Sequence, residues 1–201
     1  MRVRTLTLLA AIILISSCAR PYRKINMSSI PFINFREQDA ISYSIRQGVM
    51  YNMKNYFFAR REQKQDVSLI ALKIVNKSEL PINIRDLQYS CGATVPIAPV
   101  SMDEYNKAIK QKSGLYWLYS VGVVVYPKPP KENRKYIPLP FGIPVGAANF
   151  AIAYTANKKM EKDLKQLDLS NKMIQPGDSI QGVLPFKNVA NCGDIFISLK
   201  E

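Results

Sequence analysis

A chain that opens MRVRTLTLLAAIILISSC has to build its fold from the residues beyond that stretch, because these eighteen are patterned for export rather than for a core. Arg2 and Arg4 make a positive leader. Leu6 to Ile15 are apolar apart from Thr7, and Ile15-Ser16-Ser17-Cys18 closes the stretch with small side chains. That order is the pattern of a secretion signal. The apolar run falls short of the roughly 20 residues that cross a bilayer as a helix. The folding part is therefore expected beyond residue 17, in a compartment where disulfides persist.

Ile15-Ser16-Ser17-Cys18 resembles the lipobox of bacterial lipoproteins: an aliphatic residue, two small ones and the cysteine. The resemblance covers only this segment. It implies a signal peptide of residues 1–17, cleavage before Cys18, a diacylglycerol on the Cys18 sulfur and a fatty acid such as palmitate on the new amino terminus. Acyl chains contribute about 0.8 kcal/mol per buried methylene, so several together hold a protein on a membrane where one is marginal. In Gram-negative lipoproteins an aspartate after the cysteine favours the inner membrane. Ala19 stands there, and no acidic residue occurs between Cys18 and Phe35. By resemblance the protein belongs to the outer membrane, with its body facing the periplasm. Residues 18–36, with Arg20, Pro21, Arg23, Lys24, Ser28, Ser29 and Pro31, suit a tether.

The rest of the chain suits one ordinary domain, or one with an insertion. Lys and Arg number 28 against 15 acidic residues, a net charge of +13 that falls to +11 without Arg2 and Arg4. Such a balance suits nucleic acid, an anionic membrane surface or an acidic partner. Nucleic acid is set aside for an exported, lipid-anchored chain. No histidine is present, which excludes Ser-His-Asp and Cys-His catalysis and histidine-ligated metal. The carboxylates are scattered: Asp103 and Glu104 at a helix start, Glu161 and Asp163 in a Lys-rich helical run, Asp178 in a Pro-Gly turn. No glycine-rich phosphate loop occurs. The reading is a non-enzymatic protein without catalytic residues, metal or cofactor.

From Asp39 to Ser90 the pattern has period two. Ile41, Tyr43 and Ile45 alternate with polar residues, Val67 to Val75 read VSLIALKIV, and after the polar turn Asn76-Lys77-Ser78-Glu79 a further strand begins through Leu80, Ile82, Ile84 and Leu87. Gln175-Pro176-Gly177-Asp178 is a turn, followed by Ile180, Val183, Leu184 and Phe186 and then by alternating Ile195, Ile197 and Leu199. Short strands joined by polar turns suit a β-sandwich better than a parallel sheet. Cys91 and Cys192 are either bridged or buried separately; their placement at strand ends, each followed by glycine, favours a disulfide.

The Asn-x-Ser turn and the later run Ile174-x-Pro176-Gly177-Asp178-x-Ile180-x-Gly182-x-Leu184-x-Phe186 resemble immunoglobulin-like domains of small bacterial envelope lipoproteins. The resemblance covers about half of the chain beyond Cys18 and implies the fold alone. The expectation is a mainly β fold with α: an immunoglobulin-like β-sandwich over residues 37–201 carrying a helical, apolar insertion at about 101–170.

Within that insertion, Ser101-Met102-Asp103-Glu104 reads as a capping box opening a helix that Gly114 ends. Two uncharged stretches come next, Leu115 to Tyr126 and Tyr136 to Asn157, the second leading into a helix toward Leu167. The first is too short to span a membrane, and Pro138, Pro140 and Pro144 break the second. Two arrangements fit: both stretches belong to the core, or they form a tip that meets the membrane or an integral partner through Tyr116, Trp117, Tyr119, Pro129 and Phe150. The function read here is a binding or accessory subunit of an envelope assembly. A lipoprotein that holds an anionic glycan, lipid or peptide, with Tyr116, Trp117 and Tyr119 as stacking platforms, is the alternative.

Overall fold

The computed structural model describes residues 19–38, 40–92, 94–117, 124–125, 139–140, 142–189 and 192–200. Cys18, Tyr119 and Pro129 lie outside them, as does the signal-peptide segment. The described chain forms two compact units, residues 19–22 with 111–158, and residues 23–110 with 159–200. The insertion expected at about 101–170 is thus narrower as a separate body. The helix before Gln111 and the helical residues after Lys158 bury Tyr105, Ile109 and Leu164 within the larger unit.

In the larger unit, strands β1 (Ile33–Gln38), β2 (Ile41–Arg46), β3 (Val67–Asn76) and β10 (Ser179–Lys187) form one antiparallel sheet in the order β1-β2-β3-β10. Strands β5 (Leu87–Cys91), β6 (Val95–Ile97) and β11 (Ile195–Leu199) form a second, ordered β11-β5-β6, and β4 (Ile82–Asn83) pairs with β9 (Met173–Ile174). Ile41, Tyr43, Ile70, Leu72, Ile74, Leu184 and Phe186 from the first sheet share one core with Tyr89, Ile195 and Ile197 from the second. The Tyr43 hydroxyl accepts from the Ile197 N–H at 3.1 Å, so one buried hydrogen bond joins the two sheets. Leu69 and Ala71 of β3, which point to the other face, are fully buried too.

Helix is more extensive than a mainly β reading anticipates. Between β2 and β3 lie α1 (Val49–Asn52) and α2 (Tyr56–Gln65), both packed against β3. The α2 sequence YFFARREQKQ lacks alternation and buries Phe58, Ala59 and Glu62, one helical face. The strand expected after Asn76 is broken: β4 runs for two residues, a 3-10 turn follows at Ile84–Asp86, and pairing resumes in β5. The fold is mixed α/β with antiparallel sheets.

Residues 23–32 are packed rather than free. Ile25, Met27 and Ile30 are buried, the Ile25 N–H donates to Asp163 Oδ2 at 2.8 Å, and Asn55 exchanges two 2.8 Å hydrogen bonds with the Arg23 backbone. The polar and proline punctuation that suggested a tether hides these apolar residues. Burying each contributes about 2 kcal/mol toward holding the segment in place.

The smaller unit groups residues 19–22 with a 3-10 turn (Ser113–Trp117), the short ladder of β7 (Val124–Val125) with β8 (Leu139–Pro140), and the first two thirds of α4 (Gly142–Leu167). Pro144 sits in the first turn of α4, where its missing N–H breaks no helical bond, so this proline leaves the helix intact. Among the described residues, no helix is long and apolar enough to cross a membrane.

Candidate functional site

Three amide side chains fix the start of the described chain. Asn149 and Asn157 lie on α4 together with buried Gly146, Ala153 and Ala156. Asn149 Oδ1 accepts from the Ala19 N–H at 3.3 Å. Gln111, 1% exposed, accepts from the Arg20 N–H at 3.0 Å and donates back to the Arg20 carbonyl at 2.6 Å. Asn157 in turn holds the Gln111 backbone, accepting from its N–H and donating to its carbonyl, both at 2.8 Å. This clamp also explains why the helix α3 (Met102–Ile109), opened by Ser101 Oγ accepting from the Glu104 N–H, ends at Lys110 rather than at Gly114. The Gln111 backbone groups belong to Asn157 and cannot continue the helix.

The other side of α4 is apolar and exposed. The rings of Trp117 and Phe150 lie 5.8 Å apart, and those of Phe150 and Tyr154 stack at 5.9 Å with 15° between planes. Trp117 is 46% exposed and Tyr154 50%, and Leu115, Ile143 and Ile152 are exposed in the same unit. Phe150 connects this ladder to the buried cluster of Ala19, Tyr116 and Ala153. Of the contact residues expected from sequence, Trp117 and Phe150 therefore come together. Tyr116 is instead buried, its hydroxyl 3.3 Å from Gln111 Oε1, and offers no stacking platform. Tyr154 was missed; its signal is the four-residue spacing from Phe150, which aligns the two rings on one helical face.

In the larger unit, Cys91 and Cys192 are joined by a disulfide with Cα atoms 5.4 Å apart, tying the end of β5 to the segment before β11. Beside it is a cavity of about 300 Å³ lined by Arg36, Ile45, Arg46, Gln47, Gly193, Asp194 and Ile195. Arg36 pairs with Asp194 at 3.0 Å and lies 4.0 Å over the Phe196 ring, while Arg46 donates to Asn52 Oδ1 at 3.2 Å. A second cavity, of about 700 Å³, is lined by Gln88, Ser90, Pro96, Ser198 and Lys200 of the β11-β5-β6 sheet and its ends.

The titratable groups have structural explanations. Glu62 is buried, and its Oε1 accepts from the Leu69 N–H and the Tyr105 hydroxyl, each at 2.7 Å. Burial pushes its carboxyl up to about 7, against the lowering effect of those two donors. Burial likewise raises the Tyr89 phenol in the core. Asp168 accepts from the Ser170 N–H and hydroxyl and shapes a turn. Among the described residues, no three metal-ligating side chains converge.

No protein-family model matches this chain, and no curated protein and no solved structure matches it.

Proposed function

We propose that this protein is a non-enzymatic lipoprotein, acylated at Cys18, anchored on the periplasmic side of a bacterial outer membrane, and acting as a binding or accessory subunit of an envelope protein assembly. The observation that carries this reading is the join between residue 19 and the aromatic ladder. Ala19 is hydrogen-bonded to Asn149 and packed with Phe150, so an anchor on the preceding residue attaches to a structured body with an apolar surface. Confinement to a membrane raises the local concentration of a partner there without any new contact. The absence of histidine removes the commonest general base and several nucleophile-activating arrangements. We read the larger unit as an immunoglobulin-like sandwich: two antiparallel sheets share one core, and a disulfide ties the end of β5 to the segment leading into its neighbour β11.

A second reading rests on the cavity beside the disulfide. Two guanidinium groups at its wall suit an anionic glycan, lipid or peptide.

Photoreactive residues at Gln88, Ser198 and Phe35, crosslinked in native membranes and read by mass spectrometry, test the first reading. Protein adducts that weaken in Cys18→Ala support it. Adducts to glycan or free peptide alone favour the second reading. An N-terminal peptide with an unmodified Cys18 refutes the anchor.

A further inference from the structure

Acylation at Cys18 sets a geometric condition on the residues beside it. Consecutive Cα atoms are about 3.8 Å apart, so an anchor on the residue before a fixed Ala19 has one residue of reach from it. Ala19 is 4% exposed, its N–H is on Asn149, and Arg20 is gripped at both backbone groups by Gln111. No slack separates an anchor at Cys18 from the cluster of Ala19, Tyr116, Phe150 and Ala153. Acyl chains inserted in a leaflet therefore bring the surface around Phe150 to headgroup depth.

That surface has the chemistry of the bilayer interface. Trp117 and Tyr154 flank Phe150 with apolar rings and polar N–H or hydroxyl tips, the residue types that settle at the headgroup level. Exposed Leu115 adds aliphatic area, as does Ile143, seven residues before Phe150 on the same helical face. Exposed apolar side chains grouped in this way mark a contact surface rather than ordinary solvent exposure. The charge balance points the same way. Between Gln111 and Lys158 the sequence holds Lys112, Lys128, Lys131, Arg134, Lys135 and Lys158 against Glu132 as the one acidic residue. Cations near an anionic leaflet are attracted to it within a Debye length.

Resting on the reading of Cys18 as the acylated residue, we propose that the Trp117–Phe150–Tyr154 ladder is a membrane-contact face, seated in the headgroup region of the leaflet that holds the anchor. Anchor and ladder then act as two linked attachments that fix the body against the membrane.

Trp117 is the chain's single tryptophan, so its emission reports on this face alone. The full acylated chain is reconstituted in phosphatidylethanolamine–phosphatidylglycerol vesicles containing lipid brominated near the headgroup end of the acyl chain. Flotation measures attachment, and bromine quenching measures the depth of Trp117. The expected result is co-flotation with Trp117 emission reduced at least twofold and shifted to shorter wavelength. Tyr154→Glu, an exposed position, is expected to halve that quenching while flotation persists. Flotation with unquenched Trp117 overturns the membrane-contact face and leaves the anchor reading standing. A blue shift that depends on protein concentration and not on vesicles identifies a second copy on the ladder and also overturns it. If mass spectrometry finds Cys18 unmodified, the anchor reading fails. The unacylated chain on the same vesicles then decides the face alone: salt-sensitive quenching keeps it, and no quenching removes it.

Discussion

Gly182 and Asn76 show how single side chains hold this fold. A Cβ on Gly182 would collide with the Leu167 carbonyl and meet Leu169 carbon atoms at 2.6 and 2.7 Å, because the end of α4 crosses β10 there. Gly182→Ala is expected to destabilise by about 1–3 kcal/mol, read as a lower urea midpoint at unchanged slope. Asn76 is fully buried. Its Nδ2 donates to the carbonyls of Leu80 and Ile174, and its Oδ1 accepts from the N–H and hydroxyl of Ser78. One amide thus closes the turn after β3 and fastens it to β9. Asn76→Ala removes the amide donor from both carbonyls, leaving Leu80 only the Ser78 hydroxyl at 2.7 Å, and strips the Ser78 groups of their acceptor; it is expected to cost about 3 kcal/mol, seen as a lower midpoint in thermal unfolding. The turn at Asn76 is plain in the sequence; the reach to Ile174 is not, because it spans 98 residues. Likewise the glycine of the Pro-Gly-Asp turn, Gly177 at φ +78°, is legible as a turn residue. Gly182 is legible only as a glycine in a strand.

At the scale of elements, α2, β3 and α3 meet over Glu62, which takes hydrogen bonds from Leu69 at the start of β3 and Tyr105 in α3. Burial favours the protonated acid in the folded chain, so the folded state keeps this proton up to about pH 7, whereas the usual value is 4.5. A carboxyl raised on folding contributes fully below the lower value and loses its contribution as pH climbs through the higher one. The loss amounts to about 3 kcal/mol. Stability is expected to fall between pH 5 and pH 8, and Glu62→Gln, neutral at every pH, to flatten that slope in urea titrations. Period-two strands were readable here, because alternation survives wherever one sheet face is buried. Helix α2 was not: its apolar residues Phe57, Phe58 and Ala59 adjoin one another, and only the packed structure distinguishes buried Phe58 from half-buried Phe57. The end of α3 was equally hidden, since it depends on Asn157 from a distant helix.

For the whole molecule, the Cys91–Cys192 bridge closes a separation of 101 residues, the longest covalent constraint described. In the loop-entropy account it contributes about 4–5 kcal/mol by restricting the unfolded chain. Paired Cys91→Ser and Cys192→Ser substitutions are expected to lower the unfolding free energy by up to that amount, with reduction of the native protein shifting the urea midpoint the same way. The sequence by itself determined the exclusions and the local patterns: no histidine chemistry, strands at both ends of the chain, a capped helix at Ser101, and glycine or asparagine at the turns. These arise from residue type and spacing over a few positions. Tertiary structure alone decided which apolar residues are covered. It turned the expected tether into a packed segment through Ile25, Met27 and Ile30, buried Tyr116, and left Trp117 and Tyr154 exposed beside a clamped Ala19. The reason is physical. Alternation and helical period say which side chains share a face, whereas burial depends on what arrives from elsewhere in the chain to cover it, and here Asn149, Asn157 and Asp163 arrive from more than 40 residues away.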